Sequence, residues 1–205
     1  MLRPDVVNAS LESAAKACNT QKIDALTWHE MVEKGRDEPL RDKILRTRVY
    51  FDALSRISNT DLWGNTRYWG SLPEILKLHS ASPRDLTVAY YTTLRAMGVV
   101  ADDMRIVLGT VPRLDRDGRP TRLPYAVLVI DTLDGMLYID PFNWTDIETK
   151  PPNGFVNGLA VNEDGEWLLL DKPVMHAWGV PIDPGTYMPA WVHAWNESKL
   201  LVAWP

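Results

Sequence analysis

Residues 61–99 read DLWGNTRYWGSLPEILKLHSASPRDLTVAYYTTLRAMGV, and the second half of that run decides the fold. Ser82 is a preferred N-cap, Pro83 suits the first helical position, and Asp85 three residues after the cap supplies the acid of a variant capping box. Leu86, Ala89, Tyr90, Thr93, Leu94 and Met97 then recur at helical spacing, which predicts an amphipathic helix. Gly98 ends it, because glycine takes the left-handed conformation of a C-terminal cap without strain. Upstream, Trp63–Pro73 reads as a loop and Glu74–Leu78 as a short helix.

Working outward, residues 9–18 suggest a first helix. Residues 39–58 suggest a longer one, with Leu40, Ile44, Phe51 and Leu54 on one side. Downstream the signal turns to strands. Met104–Val111 and Leu123–Asp131 flank the turn residues Asp115–Gly118. Asp134-Gly135 is a tight hairpin turn leading into Met136–Asp140, and Val156–Val161 and Glu166–Leu170 bracket a second hairpin at Asn162–Gly165. Helices first and an antiparallel sheet after make an α+β domain.

The chain has 205 residues, 45% hydrophobic and 24% charged, which is ordinary globular usage and enough for a core. It reads as a single domain over 1–205. A net charge of −5 argues against general binding to nucleic acid or anionic membrane. No stretch is long and apolar enough to span a bilayer. The single cysteine, Cys18, excludes an intrachain disulfide and sits on a small-residue helical face with Ala14, Ala15 and Ala17, as a structural thiol would.

The stretch from Trp63 to Val99 resembles, without a gap, the core of the bacterial transglutaminase-like cysteine proteinases of the LapG type. The match runs through Trp63, Gly64, Tyr68, Trp69, Pro73, Glu74 and Leu76, then Asp85, Ala89, Tyr91, Thr93, Leu94, Arg95, Gly98 and Val99. The resemblance extends over residues 28–170 and implies a papain-like, transglutaminase-like core. It also implies a nucleophilic cysteine at the head of the central helix, a histidine opening a strand and an aspartate on the next one. Pro83 stands at the cysteine position and Tyr125 at the histidine position, while Asp140 is retained. The acidic residues that hold calcium around the family's cysteine correspond here to Ser82, Arg84 and Asp85. One carboxylate beside a cation is a poor site for a hard divalent ion, so neither calcium nor any other cofactor is expected.

The resemblance therefore implies a degenerate member, a pseudoprotease that binds without cutting. Trp63, Trp69, Tyr125 and Asp140 are the candidates for its cleft. Active members of the family are periplasmic, cleave large surface adhesins and are restrained by a membrane receptor that senses cyclic-di-GMP. The expected partner is accordingly a protein, an adhesin segment or such a receptor, in adhesin retention and biofilm formation. Met1–Asp5 is not followed by the apolar run of a signal peptide. The resemblance implies an exported protein with a trimmed start, and a cytoplasmic one is the other reading.

Other chemistry carries less weight. Ser82 with His79 invites a serine device, but a capping hydroxyl is committed to backbone amides. A phenol at Tyr125 is a poor general base at neutral pH. From residue 171 the chain becomes rich in proline and tryptophan, expected as an extended tail whose Trp178, Trp191, Trp195 and Trp204 cover the sheet or form a binding surface. His176 and His193 lack a third ligand for a metal. An enzyme with rebuilt hydrolase or transferase chemistry in the same cleft, and a small-molecule or peptide-binding module, remain the alternatives.

Overall fold

The central helix forms where its caps place it. In the computed structural model, which describes residues 24–141, 147–169, 180–183 and 187–202, it spans Pro83–Ala96. Ser82 and Asp85 complete a capping box at its start. At its end the Gly98 N–H donates to the Arg95 carbonyl at 2.9 Å and the Val99 N–H to the Leu94 carbonyl at 3.0 Å. Gly98 has φ of +87°, the left-handed residue that this Schellman arrangement requires. The expected helix at 9–18, Cys18, His176, Trp178 and Trp204 lie outside the described residues.

In chain order the elements are α1 (Ala25–Gly35), α2 (Leu40–Phe51), β1 (Ser55–Arg56), α3 (Asn59–Trp63), α4 (Leu72–Leu78), β2 (Ser80–Ala81) and α5 (Pro83–Ala96). A 3₁₀ turn follows at Ala101–Asp103. Then come β3 (Met104–Leu114), β4 (Pro120–Thr132), β5 (Gly135–Ile139), β6 (Val156–Asn162), β7 (Gly165–Leu168), β8 (Val180–Ile182) and α6 (Pro189–Val202). The six strands β3–β8 make one antiparallel sheet in the order β5-β4-β3-β6-β7-β8, so the α+β expectation holds. Helix α2 stops at Phe51, short of the expected residue 58. The chain there is captured by a parallel ladder in which Ser55 and Arg56 pair with Ser80 and Ala81. That ladder fixes the approach to α5.

The sheet separates two cores by the alternation of its side chains. Met104, Ile106, Ala126, Leu128 and Ile130 pack with the helices. Val107, Tyr125, Val127, Val129 and Tyr138 pack on the opposite face. Helix α5 is buried nearly all round rather than on one stripe, with only Pro83, Arg84 and Arg95 outside the buried set. Thr93 and Tyr91 on this helix carry partners, whereas the buried Thr92 hydroxyl has none among the described residues. The Thr93 hydroxyl accepts from Trp28 Nε1 at 2.9 Å, and the Tyr91 hydroxyl donates to Glu163 at 3.3 Å.

What covers α5 is the segment expected as an extended tail. Residues 189–202 are instead a helix, opened by Pro189. The Glu166 carboxylate accepts the backbone N–H groups of Tyr187 and Met188 just before it, an anion placed at the positive end of the helix dipole. Trp191 is 2% exposed, stands edge-on to Tyr91 with ring centroids 5.2 Å apart, and donates Nε1–H to the Asn162 carbonyl at 3.0 Å. The Ser198 hydroxyl accepts from the Leu72 N–H at 2.9 Å and donates to the Ala194 carbonyl at 2.6 Å. Trp191→Ala is expected to lower unfolding free energy by about 4 kcal/mol, read from urea unfolding, through cavity creation and an unpaired carbonyl.

Candidate functional site

The head of α5 is organised by one buried carboxylate. Asp85 is fully buried, and its oxygens accept three N–H groups: Gly70 at 2.7 Å, the Trp63 indole at 2.9 Å and Ser82 at 2.9 Å. Three donors are the usual condition for keeping such a group inside a protein. Gly70 must be glycine, since a Cβ there would lie 2.6 Å from the Trp63 ring and 3.1 Å from the Asp85 carboxyl carbon. The Ser82 hydroxyl donates to Asn59 Oδ1 at 2.5 Å and is fully buried. Both acceptor and donor capacity near Pro83 are spent on structure. Both Asp85 oxygens face N–H hydrogens, and the neighbouring position is the cation Arg84.

Across from the helix start, the Tyr125 hydroxyl donates to Asp140 Oδ2 at 2.6 Å. Tyr125 sits near the N-terminal end of the core part of β4, opposite Gly109 of β3, where the β3–β6 pairing shifts register between Leu108 and Gly109. Asp140 directly follows β5. Pro83 and Tyr125 both line one cleft of about 340 Å³, together with Arg56, Arg84, Arg113 and Leu123. Ser58 also borders it, but its hydroxyl donates to Asp61 Oδ2 at 2.6 Å while capping α3. Burial holds the Arg84 guanidinium below its ordinary pKa, with Asp85 acting in the opposite sense.

A second polar cluster closes the W-G loop against α6. The Tyr68 hydroxyl donates to Glu74 Oε1 at 2.7 Å and lies 3.2 Å from His193 Nε2. Burial, and then the Glu74 carboxylate, push the Tyr68 phenol up to about 12. Burial alone would raise Glu74. The Ser71 N–H, the Tyr68 hydroxyl and the Ser71 hydroxyl outweigh it and hold Glu74 below the ordinary carboxylate range. This phenol stays protonated at neutral pH and serves as a hydrogen-bond bridge rather than a nucleophile.

The candidate residues thus fall into two groups. Tyr125 and Asp140 are brought together, and Tyr125 shares its cleft with Pro83. Trp63 and Trp69 stand outside that cleft's lining. Trp63 is bound to Asp85, and Trp69 is 3% exposed with its ring edge-on to Trp191. His79 is exposed at the left-handed end of α4, with φ of +51°, and is not hydrogen-bonded to Ser82. His193 meets Tyr68, not a metal-ligand set. Of the three arginines of the cleft, Arg84 was noted from sequence only as a cation beside Asp85, and Arg56 and Arg113 were not singled out. The three come from β1, α5 and β3, and no spacing signal joins them.

No family model and no curated protein matches the chain. Solved structures do. Legionella pneumophila LapG in its EGTA-treated form superposes with a TM-score of 0.65 at 16% identity, over 92% of this chain and 97% of that one. A second LapG structure gives 0.63 at 16% identity over 92% and 97%. The calcium-bound form gives 0.63 at 16% identity over 91% and 98%. At that identity the likeness establishes a LapG-like fold.

Asp85→Asn is expected to cost about 3 kcal/mol in unfolding free energy, because the amide turns an N–H toward one of three fixed donors. The same change is expected to red-shift and weaken the emission of Trp63. Unchanged urea unfolding would show that the carboxylate is not the fastening of this loop.

Proposed function

We propose that this chain is a non-cleaving relative of the LapG proteases that binds a protein segment in the cleft between the head of α5 and β4. The observation that carries the reading is the pair of residues at that cleft: proline at the head of the helix, and a tyrosine whose hydroxyl is bound to Asp140. Proline offers neither a thiol nor a hydroxyl. The phenolic proton is directed at the aspartate, which leaves no free base toward the helix. The serine nearest the helix head, Ser82, is buried and doubly engaged. A nucleophile, a base and an oriented acid are the minimum for acyl transfer of this kind, and only the acid is in place.

The partner we infer is an adhesin-type linker or the receptor that holds the active protease, in an exported setting. A binder that occupies either one without cleaving would change how long adhesin stays on the surface. No helix among the described residues is long and apolar enough to cross a membrane, which is compatible with that setting. Calcium has no part in this reading, given how Asp85 is spent. A small-molecule module is less favoured, since the cleft is open and its apolar floor is flanked by three guanidinium groups.

An adhesin linker incubated with the purified chain is expected to stay intact by mass spectrometry, with a Pro83→Cys, Tyr125→His double variant as comparison. Cleavage by the native chain that disappears in Asp140→Ala would overturn the proposal. Calcium and EGTA are each expected to leave the thermal midpoint unchanged, whereas a folded-state ion site would raise it with calcium concentration by mass action.

A further inference from the structure

The cleft at Pro83 carries a charge opposite to that of the chain. The protein as a whole is acidic, at −5. Yet Arg56, Arg84 and Arg113 all line this one cleft, and no carboxylate among the described residues does. Acids close to the lining residues have partners of their own, Asp61 among them, which accepts the Ser58 hydroxyl at 2.6 Å. Asp85 is enclosed by three N–H donors, Asp140 takes the Tyr125 hydroxyl, and Asp52 is paired with Arg56 at 3.0 Å.

The three guanidinium groups are held differently. Arg56 also donates to the Pro141 carbonyl at 3.0 Å, so its position is fixed. Arg84 donates to the Thr66 carbonyl at 2.5 Å and is half-buried. Among the described residues Arg113 has neither hydrogen bond nor ion pair, and it is exposed on β3, with its strand neighbour Thr121 bringing no charge. The apolar wall is supplied by Pro83, Leu123 and the Tyr125 ring. Fixed guanidinium forks beside an apolar floor suit a carboxylate side chain whose methylene stem packs on that floor.

Resting on the binding-protein reading above, we infer that the segment this cleft accepts is acidic, with an aspartate or glutamate side chain seated among Arg56, Arg84 and Arg113. The volume of about 340 Å³ holds a short stretch of peptide rather than a folded domain. An ordinary acidic chain would repel such a segment. The arginine cluster overcomes this locally and selects the orientation.

The test is a bead-displayed hexapeptide library, with every residue allowed at each position, sorted against the full-length labelled chain. Bound beads are expected to be enriched in Asp or Glu at one position or more, and binding is expected to weaken as salt rises. Arg113→Glu, on an exposed strand position and so expected to leave circular dichroism unchanged, should weaken binding of a selected acidic peptide about ten-fold. Its Glu-to-Lys counterpart peptide should gain correspondingly. No selection, selection without acidic residues, or an acidic preference untouched by both Arg113→Glu and Arg84→Gln would overturn the inference. Bead peptides are also checked by mass spectrometry. Cleavage would overturn the non-cleaving reading alone, because acidic selection would still stand.

Discussion

A single buried carboxylate, Asp85, holds together the part of this protein where its chemistry would be. Isolated from water, an unpaired carboxylate would cost several kcal/mol. Here three N–H groups from three separate places in the chain converge on it: the helix entry at Ser82, the loop at Gly70 and the indole of Trp63. The buried Gly70 and Ser82 N–H groups would themselves be unsatisfied without the acid. The arrangement is therefore reciprocal, and it fixes the Trp63–Pro73 loop to the head of α5 through hydrogen bonds. Glycine at position 70 is the steric condition for it. From that fastening the rest follows: α4 is positioned, Tyr68 reaches Glu74 and His193, and α6 can lie over the helix.

The local parts of this design were legible in the sequence, and the long-range parts were not. Ser82, Pro83 and Asp85 lie within one turn, and Gly98 within one residue of the helix end. Capping chemistry acts over just those distances, so the helix and both its caps could be read directly. The strands and hairpins followed from alternation and turn residues for the same reason. The partners of Asp85 sit 15 and 22 residues away, and no periodicity links a loop glycine or an indole to a helix-start acid. Helix α2 was read too long because nothing in residues 52–58 forbids helix, and the parallel ladder to Ser80 and Ala81 decided otherwise.

The C-terminal segment shows the same limit from the other side. Prolines at 173, 181, 184 and 189 suggest an extended tail when counted together. Proline is also the favoured first residue of a helix, and Trp191, Ala194, Trp195 and Ser198 then fall at helical spacing. Tertiary packing settled the choice, because α5 needs an apolar cover on the face away from the sheet. The candidate site divides likewise. Tyr125 and Asp140, both cleft candidates from sequence, are joined by a hydrogen bond, whereas Trp63 binds Asp85 and Trp69 packs on Trp191, outside the cleft lining.

Proline at the head of the helix and tyrosine on β4 have different physical consequences for stability and for reactivity. A cysteine thiolate at a helix N-terminus depends on the helix dipole and on a neighbouring imidazole. Proline at the same place asks nothing of either, since it lacks the N–H that would need a partner and has the helical φ built in. Tyrosine in place of histidine keeps an aromatic ring in the outer core with Val127 and Tyr138 and still supplies a donor to the aspartate. Both residues satisfy the demands of folding at their positions, and neither proline nor a phenol bound to a carboxylate is suited to nucleophilic attack or general-base work at neutral pH. The charges lining the cleft between them are the guanidinium groups of Arg56, Arg84 and Arg113. Guanidinium groups bind carboxylates well and, being already protonated with a very high pKa, neither accept a proton nor release one readily, which is why we read the cleft as a recognition site.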